Sequence, residues 1–362
     1  MIEKGQSELN TFFLGMEDEL VIVKETATGY IVETRLEGTH PVDLAQNPTS
    51  PEVLYCATYG NGLWKSEDNG DHWKAIGQMN AYHEPTLGKG ITSAYMTAVA
   101  INPHHPEILY VGTEPSAIYY SEDGGQTFTE FKEVQHLPSQ PFWEFPARPY
   151  TNHVQDLMPS SKDSQTLNAA IEFGAFINTT DGGETWNDRP FFSPKDIHEM
   201  VTHPSKPGKL FAVCGDGLAL EGHSFAESDN DGMSWQYSSK GLDKHPYLYS
   251  IAINPEDASD LLVGAAQNAF AAHYRDEEKE YPRATIYRRN QDGSWSECAQ
   301  GLPYAGTYMN QIEADSTHPG AFYALNNHGL FHLIDNQWHQ LELSWKDKYL
   351  YQHPTFLKIL NG

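Results

Sequence analysis

Two histidines of this chain stand at the same distance from a proline. His153 lies six residues before Pro159, and His198 lies six residues before Pro204. The same offset from a third proline of this kind gives Tyr249. Imidazole ligates transition metals and carries protons near neutral pH, so two imidazoles in register suggest a divalent metal site or a proton shuttle. The pattern predicts that His153 and His198 occupy equivalent positions on neighbouring strands.

Carboxylates follow a second regular pattern. Glu114 and Glu172 each lie seven residues before a recurring octet. One repeat lacks the octet, and there Glu17 lies seven residues before Lys24, which stands at the corresponding position. Asp216 lies in "CGDG" at the end of a comparable strand. A carboxylate beside an imidazole can act as a general acid or base, or complete a metal site. We therefore expect Glu172, Asp216 and Glu114 to be catalytic candidates near the two histidines. The alternative, that these groups bond neighbouring loops and channel water, stays open.

The segment "FWEFPARPYTNHV", residues 142–154, is the most distinctive loop of the chain. Trp143 can stack on a sugar ring, and Arg148 can hold a carboxylate through two parallel hydrogen bonds. The alternative is that the aromatic side chains cover a channel and that the arginine ties the loop down. Another long loop carries His273, which joins Tyr249 in the predicted ligand-binding set.

Repeats must position these side chains. Four octets share the pattern Ser/Thr-x-Asp-x-Gly-x-x-aromatic, with Asn in place of Asp in the last, and they cover residues 66–73, 121–128, 179–186 and 228–235. Asp and Ser side chains bond backbone N–H groups in tight turns, and glycine adopts positive φ there. Because a catalytic group is needed only once, a group that recurs around a fold is predicted to be structural.

Each octet lies between the third and fourth strand of a unit of four short strands, as in "AVAINPHHPEILYVGTEPSAIYYSEDGGQTF". Six such units follow one another. The N-terminal segment supplies three strands of a seventh unit, and the C-terminal "TFLKILNG" supplies its first strand. The sequence thus predicts an all-β chain in which residues 1–362 form a single seven-bladed β-propeller, closed by the N- and C-terminal strands.

The topology of such a blade places the long insertions on one surface. The connections between blades and the loops between second and third strands share one face, whereas the "NPxxP" turns and the octets lie on the other. The insertions of the first face are residues 78–95, 134–150, 217–226, 240–248 and 267–284. Long loops on a rigid scaffold commonly carry binding sites, so a ligand is expected at the channel mouth on this face.

The octets resemble the Asp-boxes of the BNR-repeat propeller superfamily, which includes sialidases, sortilin-type receptor domains, xyloglucan-degrading enzymes and photosystem II assembly factors. The likeness covers nearly the whole chain and implies a propeller with Asp-box turns. The loop at 142–154 is similar to one in an uncharacterised bacterial, glycosyl hydrolase-like subgroup, where a second Pro and a His-His pair replace Ala147 and Asn152 of this chain. Because the superfamily contains both enzymes and binding scaffolds, it implies fold more than function.

Composition excludes several functions. The net charge of −26 repels nucleic acid and anionic membrane surfaces, so neither is an expected partner. The three cysteines form no CxxC element and predict reduced thiols without a cysteine-held zinc ion. No run of about 18 apolar residues and no signal peptide are recognisable, and a cytoplasmic location is the default expectation.

Arginine content argues against sialidase activity, which needs three arginines converging on the substrate carboxylate. The chain has seven arginines, and Arg35 is the only one among its first 147 residues. Two function classes remain. The first is a hydrolase or lyase acting on a small polar or carbohydrate-like ligand at the channel mouth, with a divalent metal as candidate cofactor. The second is a non-catalytic scaffold that binds a protein or peptide.

Overall fold

A computed structural model describes residues 9–77, 90–145, 151–188, 190, 192–274, 283–316 and 318–361. Seven antiparallel sheets surround a central channel, which confirms the predicted seven-bladed β-propeller. The described part of the chain contains one short α-helix, α1 (Ala269–His273), and 3-10 helices at Lys132–His136, Gln140–Phe142, Asp216–Leu218 and Asp347–Tyr351. No helix in these ranges has the length and apolar character needed to cross a membrane.

The strands are assigned to blades in chain order. The first strands belong to blade 7 and are β1 (Asn10–Met16), β2 (Leu20–Thr26) and β3 (Gly29–Arg35). Blade 1 contains β4 (Pro41–Gln46), β5 (Leu54–Thr58), β6 (Gly62–Ser66) and β7 (Lys74–Ile76). Blade 2 contains β8 (Met96–Ile101), β9 (Leu109–Thr113), β10 (Ile118–Ser121) and β11 (Thr129–Glu130). Blade 3 contains β12 (Val154–Pro159), β13 (Leu167–Ile171) and β14 (Ala175–Thr179).

The remaining blades follow in the same order. Blade 4 contains β15 (Ile197–Thr202), β16 (Leu210–Cys214), β17 (Phe225–Ser228) and β18 (Gln236–Tyr237). Blade 5 contains β19 (Tyr247–Asn254), β20 (Asp257–Ala266), β21 (Ala284–Arg289) and β22 (Trp295–Glu297). Blade 6 contains β23 (Gln311–Ala314), β24 (Phe322–Asn326), β25 (Gly329–Ile334) and β26 (Gln337–Gln340). The last strand, β27 (Pro354–Asn361), is the innermost strand of blade 7.

The ring closes through β27. This strand pairs antiparallel with β1, for example Leu357 with Leu14. The innermost strands of neighbouring blades contact one another around the ring, and β27 contacts both β23 of blade 6 and β4 of blade 1. The predicted closure by the N- and C-terminal strands is therefore confirmed, and it leaves no blade with an unpaired inner strand.

Burial explains the apolar runs of the second strands. Every residue of β5, β9, β13, β16 and β24 is buried. Each blade packs between two neighbours, so both faces of its middle strands are covered and the usual alternation of apolar and polar residues is lost. Aromatic contacts bridge adjacent blades, as where Phe12 of blade 7 meets the edge of Tyr323 of blade 6 at a centroid distance of 4.8 Å.

The four octets form one recurring turn. In each, the first hydroxyl accepts the N–H of the octet glycine at 2.9 Å, and the carboxylate or amide oxygen of the third residue accepts the N–H of the seventh. The glycine has positive φ and lies against the preceding blade: a Cβ on Gly183 or Gly232 would lie 2.0 Å from a ring carbon of Phe131 or Phe176. The octets thus fasten neighbouring blades, in line with the structural role predicted for them.

Candidate functional site

Residues that precede the inner strands surround the channel mouth on the face of the long loops, here called face one. His40, Tyr95, His153 and Asp196 stand directly before β4, β8, β12 and β15. The backbone carbonyl of each accepts an N–H from the residue that follows the second strand of its blade, at 2.8 to 3.1 Å. These four positions are therefore structurally equivalent, and their side chains all enter at the same level of the ring.

The equivalence predicted for His153 and His198 is wrong by two residues. Pro159 pairs with Leu167 at the end of the inner strand of blade 3, and the residue that pairs in this way in blade 4 is Thr202, with Leu210. Pro159 is thus the last residue of its strand, whereas Pro204 lies in the turn beyond the strand. His153 is consequently the counterpart of Asp196, and His198 lies two residues farther along the chain, within β15.

His153 lies between two glutamates. Its Nε2 is 3.0 Å from Glu172 Oε2 and 2.9 Å from Gln155 Oε1, and its Nδ1 is 3.8 Å from Glu114 Oε2. Glu114 also accepts the Thr151 hydroxyl at 2.6 Å. Burial works to raise the pKa of Glu172, but the hydrogen bond and charge of His153 outweigh it and bring that pKa to about 2. Glu172 is therefore ionised at neutral pH.

A second group joins Glu172 from blade 4. His198 Nε2 lies 3.7 Å from Asp196 Oδ1, and one ligand atom from each of Glu172, Asp196 and His198 falls within 4.8 Å of the others. Burial, together with the charges of Glu172 and Asp216, raises the pKa of Asp196 to about 6. Asp196 was not singled out in the sequence, although it lies two residues before His198 in "KDIHEM".

Asp216 stands behind this group. Its Oδ2 accepts the backbone N–H groups of Lys195 and Asp196, each at 3.0 Å, and burial raises the pKa of its carboxyl. These bonds fix the segment that enters β15. Asp216 thus holds Asp196 in place, and its predicted role as an acid or base stays a prediction.

A cavity of about 600 Å³ occupies the mouth and upper part of the channel. Among the predicted residues, His153, His198, Tyr249, His273 and Glu17 line it. Glu172 and Asp196 are not part of the lining but lie beside it, 3.0 Å from His153 and 3.7 Å from His198 respectively. Counting from the turn prolines and the octets did not find the further imidazole and phenol groups of the lining, which are His40, Tyr59, Tyr274, Tyr308 and His353.

Hydrogen bonds determine which ring nitrogen carries the proton in two stacked histidines of this lining, His353 and His273. His353 Nδ1 lies 2.8 Å from the carbonyl oxygen of Pro354, which can only accept, so Nδ1 carries the proton. His353 Nε2 then accepts from His273 Nδ1 at 3.1 Å, and His273 Nε2 accepts from the Tyr247 hydroxyl at 3.2 Å. Burial, assisted by His273, lowers the pKa of His353 to about 3, so His353 is neutral in the physiological range.

The other members of the predicted ligand-binding set are placed differently. Trp143 is 4% exposed, donates from Nε1 to Ser139 Oγ at 2.8 Å and packs in the core of blades 2 and 3, so its ring has no open face for a sugar. Phe145 meets His153 edge-on at 5.0 Å. Arg148 lies outside the described residues.

Carboxylates line the channel below the mouth. Asp43, Asp156 and Glu199 follow a β-bulge in their strands, and each accepts a backbone N–H from the inner strand of the next blade at 2.7 to 2.9 Å. They satisfy N–H groups that the open inner edges of the sheets would leave unpaired. Burial raises the pKa of Asp156 to about 7 and that of Glu199 to about 8.

Lys358 of β27 provides positive charge among these carboxylates. Its Nζ lies 3.9 Å from Glu313 Oε2. Desolvation inside the channel lowers the pKa of the half-buried Lys358, but the charges of Glu313, Glu199, Asp43 and Asp156 outweigh it and raise that pKa. Lys358 therefore stays protonated while the carboxyls of Asp156 and Glu199 take up protons near neutral pH. The stability of the ring should accordingly depend on pH.

Lys358→Met is expected to destabilise the protein more at pH 9 than at pH 5. Acids whose folded pKa exceeds the unfolded value stabilise the folded state at low pH, and this stabilisation is lost as pH rises to about 8. Without Lys358, these carboxylates ionise at pH 9 with no compensating positive charge and repel one another, whereas at pH 5 they are protonated. Because Lys358 is 34% exposed, we expect a loss of about 1–3 kcal/mol at pH 9.

Thermal melts at both pH values measure this effect. Lys240→Met removes an exposed lysine at 85% side-chain exposure and is the matched control, with little change at either pH. Adding Glu199→Gln to Lys358→Met should recover part of the loss at pH 9. A loss of equal size at pH 5 and pH 9 would show that packing, and not charge, is the contribution of Lys358.

Comparisons with known proteins reveal similarity without assigning the chain to a family. No family model matches. A protein named "Probable oligoxyloglucan-reducing end-specific xyloglucanase", from Neosartorya fischeri, is 32% identical over 139 residues, which is 38% of this chain and 15% of that protein. The chain thus spans only a small part of the length of this relative.

Two groups of solved structures share the fold. An ancestral GH74 enzyme superposes with a TM-score of 0.60 at 17% identity, over 85% of this chain and 39% of the enzyme. YCF48 bound to D1 peptide superposes with a TM-score of 0.54 at 15% identity, over 83% of this chain and 82% of YCF48. At these identities the likeness shows the propeller fold alone, since one neighbour is named as an enzyme and the other was solved with a bound peptide.

Proposed function

We propose that this propeller is a hydrolase or lyase that acts on a small polar or carbohydrate-like ligand bound at the channel mouth. The observation that carries the proposal is the cavity of about 600 Å³, in which imidazoles meet tyrosines with carboxylates in the wall. Ligand sites are commonly concave, with aromatic faces and few convergent polar groups. The cavity opens on the face that bears the long loops.

The charges of the wall suggest separate roles. Glu172 is ionised and hydrogen-bonded to His153, so it can orient that imidazole and stabilise its protonated form. His153 lines the cavity and is the proposed proton carrier. Glu114 flanks the same ring from blade 2. The exposed ring of Tyr274, with Tyr249 and Tyr308, offers faces on which the C–H groups of a sugar can pack.

The xyloglucanase relative makes xyloglucan oligosaccharides the first substrates to test. The shared hydrogen bonds of the four octets also support assigning them to the Asp-box repeats. Product release is measured by reducing-end assay and mass spectrometry, and binding by the shift in melting temperature, over a panel of oligosaccharides and uronic acids. The proposal fails if no compound of the panel is bound or converted.

Tyr249→Ala is expected to weaken binding of any ligand found in this way by about tenfold, because a stacked aromatic face contributes about 1 kcal/mol or more. Tyr304→Ala is the matched control, since Tyr304 is exposed and does not line this cavity. Titration calorimetry measures both dissociation constants. Equal affinity of both variants and the parent would place the ligand elsewhere.

A peptide-binding scaffold is the second candidate. The specific observation in its favour is coverage: the superposition spans 82% of YCF48, which is bound to D1 peptide in that structure, but only 39% of the GH74 enzyme. A peptide would have to use the same face-one mouth. Binding of a peptide at this mouth, with no sugar of the panel bound or converted, would favour this alternative.

A further inference from the structure

We propose that Glu172, Asp196 and His198 bind one divalent transition-metal ion, with Zn²⁺ the first candidate, in the wall of the face-one cavity. One ligand atom from each residue lies within 4.8 Å of the others. This set differs from the pair His153 and His198 predicted from the sequence. Metal binding goes beyond the proposed function and is measurable without any substrate.

His198 supplies an imidazole lone pair aimed into the cluster. Its Nδ1 contacts the carbonyl oxygen of Leu248, which can only accept, so the proton of a neutral His198 is on Nδ1. Its Nε2 is then an acceptor. The side chain is 1% exposed, and Nε2 has no hydrogen-bond partner among the described residues. Buried polar atoms are nearly always satisfied, so an unpartnered buried imidazole nitrogen is a candidate metal ligand.

The two carboxylates face this nitrogen without a donor between them. His198 Nε2 and Asp196 Oδ1 are 3.7 Å apart, and a carboxylate oxygen of Glu172 lies within 4.8 Å of a ligand atom of each. Acceptor atoms at this separation repel one another in a buried site, and a cation relieves that repulsion. Zinc binds nitrogen and oxygen ligands at about 2.0–2.2 Å, so rotation of the two carboxylate side chains toward His198 Nε2 would complete the site.

Neighbouring groups hold the three side chains in position. His153 donates to Glu172 Oε2, the Phe173 N–H donates to Asp196 Oδ1 at 3.2 Å, and Asp216 fixes the backbone of Asp196. Metal sites in proteins commonly have such an outer layer of hydrogen bonds. The imidazole favours zinc over calcium and magnesium, which prefer oxygen ligands, and the two carboxylates also suit manganese. Since His198 lines the cavity, a further coordination position of the metal can face a small molecule bound there.

Metal content and titration calorimetry test the proposal directly. The purified protein, stripped with a chelator, is titrated with ZnCl₂ and with MnCl₂, and about one equivalent is expected to bind. Asp196→Asn and His198→Gln keep the volume of the side chains and are each expected to weaken binding at least tenfold. His105→Gln, which removes an exposed histidine 3.3 Å from Glu107, is the control for adventitious surface binding and should change nothing.

Gly215→Ala offers a variant that alters no ligand. A Cβ at Gly215 would lie 2.0 Å from Asp196 Oδ2 and 3.0 Å from His198 Cε1, and the residue has an ordinary negative φ, so the added methyl group displaces the ligands without straining the backbone. We expect it to weaken metal binding at least tenfold. Circular dichroism melts establish that each variant is folded.

Two results would overturn the inference. One is that the stripped parent protein binds no more of either metal than the background, which we set at about one tenth of an equivalent. The other is unchanged affinity in folded Asp196→Asn, His198→Gln and Gly215→Ala. A protein that binds metal here but converts no ligand retains this inference and loses the proposed function, and a metal-free protein with turnover does the reverse.

Discussion

A chain that ends after Gln352 is expected to lose cooperative folding of the propeller. The truncation removes β27, which pairs with β1 from Asn10 to Met16 and contacts the inner strands of blades 1 and 6. It also removes the buried Phe356 and Leu357, and it exposes the inner edge of blade 7 to the channel. An open sheet edge and an interrupted ring favour aggregation.

Differential scanning calorimetry and size-exclusion chromatography measure this loss. The parent protein should melt in one transition as a closed ring, and the truncated chain should show a broad transition or none. A synthetic peptide of residues 354–361 should restore part of the transition, whereas the same peptide with Leu357→Asp should not, because Leu357 is 3% exposed. A truncated monomer that melts within a few degrees of the parent would refute closure as the main support of the ring.

Replacing His153 with Gln is expected to lower kcat/KM of the hydrolytic reaction by about 10²- to 10⁴-fold, the usual range for loss of a positioned proton carrier. Gln retains polar contacts to its surroundings but cannot exchange a proton near neutral pH. The ring of His153 is in the cavity lining, and its Nε2 lies 3.0 Å from Glu172 Oε2, so the substitution removes the imidazole that contacts this carboxylate. The fold should persist, since the main blade contacts are unaffected.

Steady-state kinetics on the substrate with the highest turnover measure the effect, with the dependence of kcat/KM on pH as the second readout. A proton carrier should remove or displace one limb of the pH profile, whereas a merely structural residue would leave its shape unchanged. His339→Gln is the control, because His339 is exposed on β26 of blade 6. A decrease of less than threefold in His153→Gln would exclude His153 from proton transfer.

The repeats alone established the architecture. Four octets in register, with the strands before and after them, identified the blades, and the leftover N-terminal strands required a partner that "TFLKILNG" supplied. This worked because tight turns need particular residues at fixed positions, so local chemistry is visible in the sequence. The offset from the octets also found Glu17, Glu114 and Glu172, which each follow a second strand at face one.

The three-dimensional structure alone decided which groups meet. Turn length and β-bulges vary from blade to blade, so counting from Pro159 and Pro204 aligned His153 with His198, although hydrogen bonds make His153 the counterpart of Asp196. Lys358 comes close to acids of four other blades only because the ring closes. Periodicity fixes the position of a residue along a strand, whereas convergence on a channel depends on how seven separate strands pack around it.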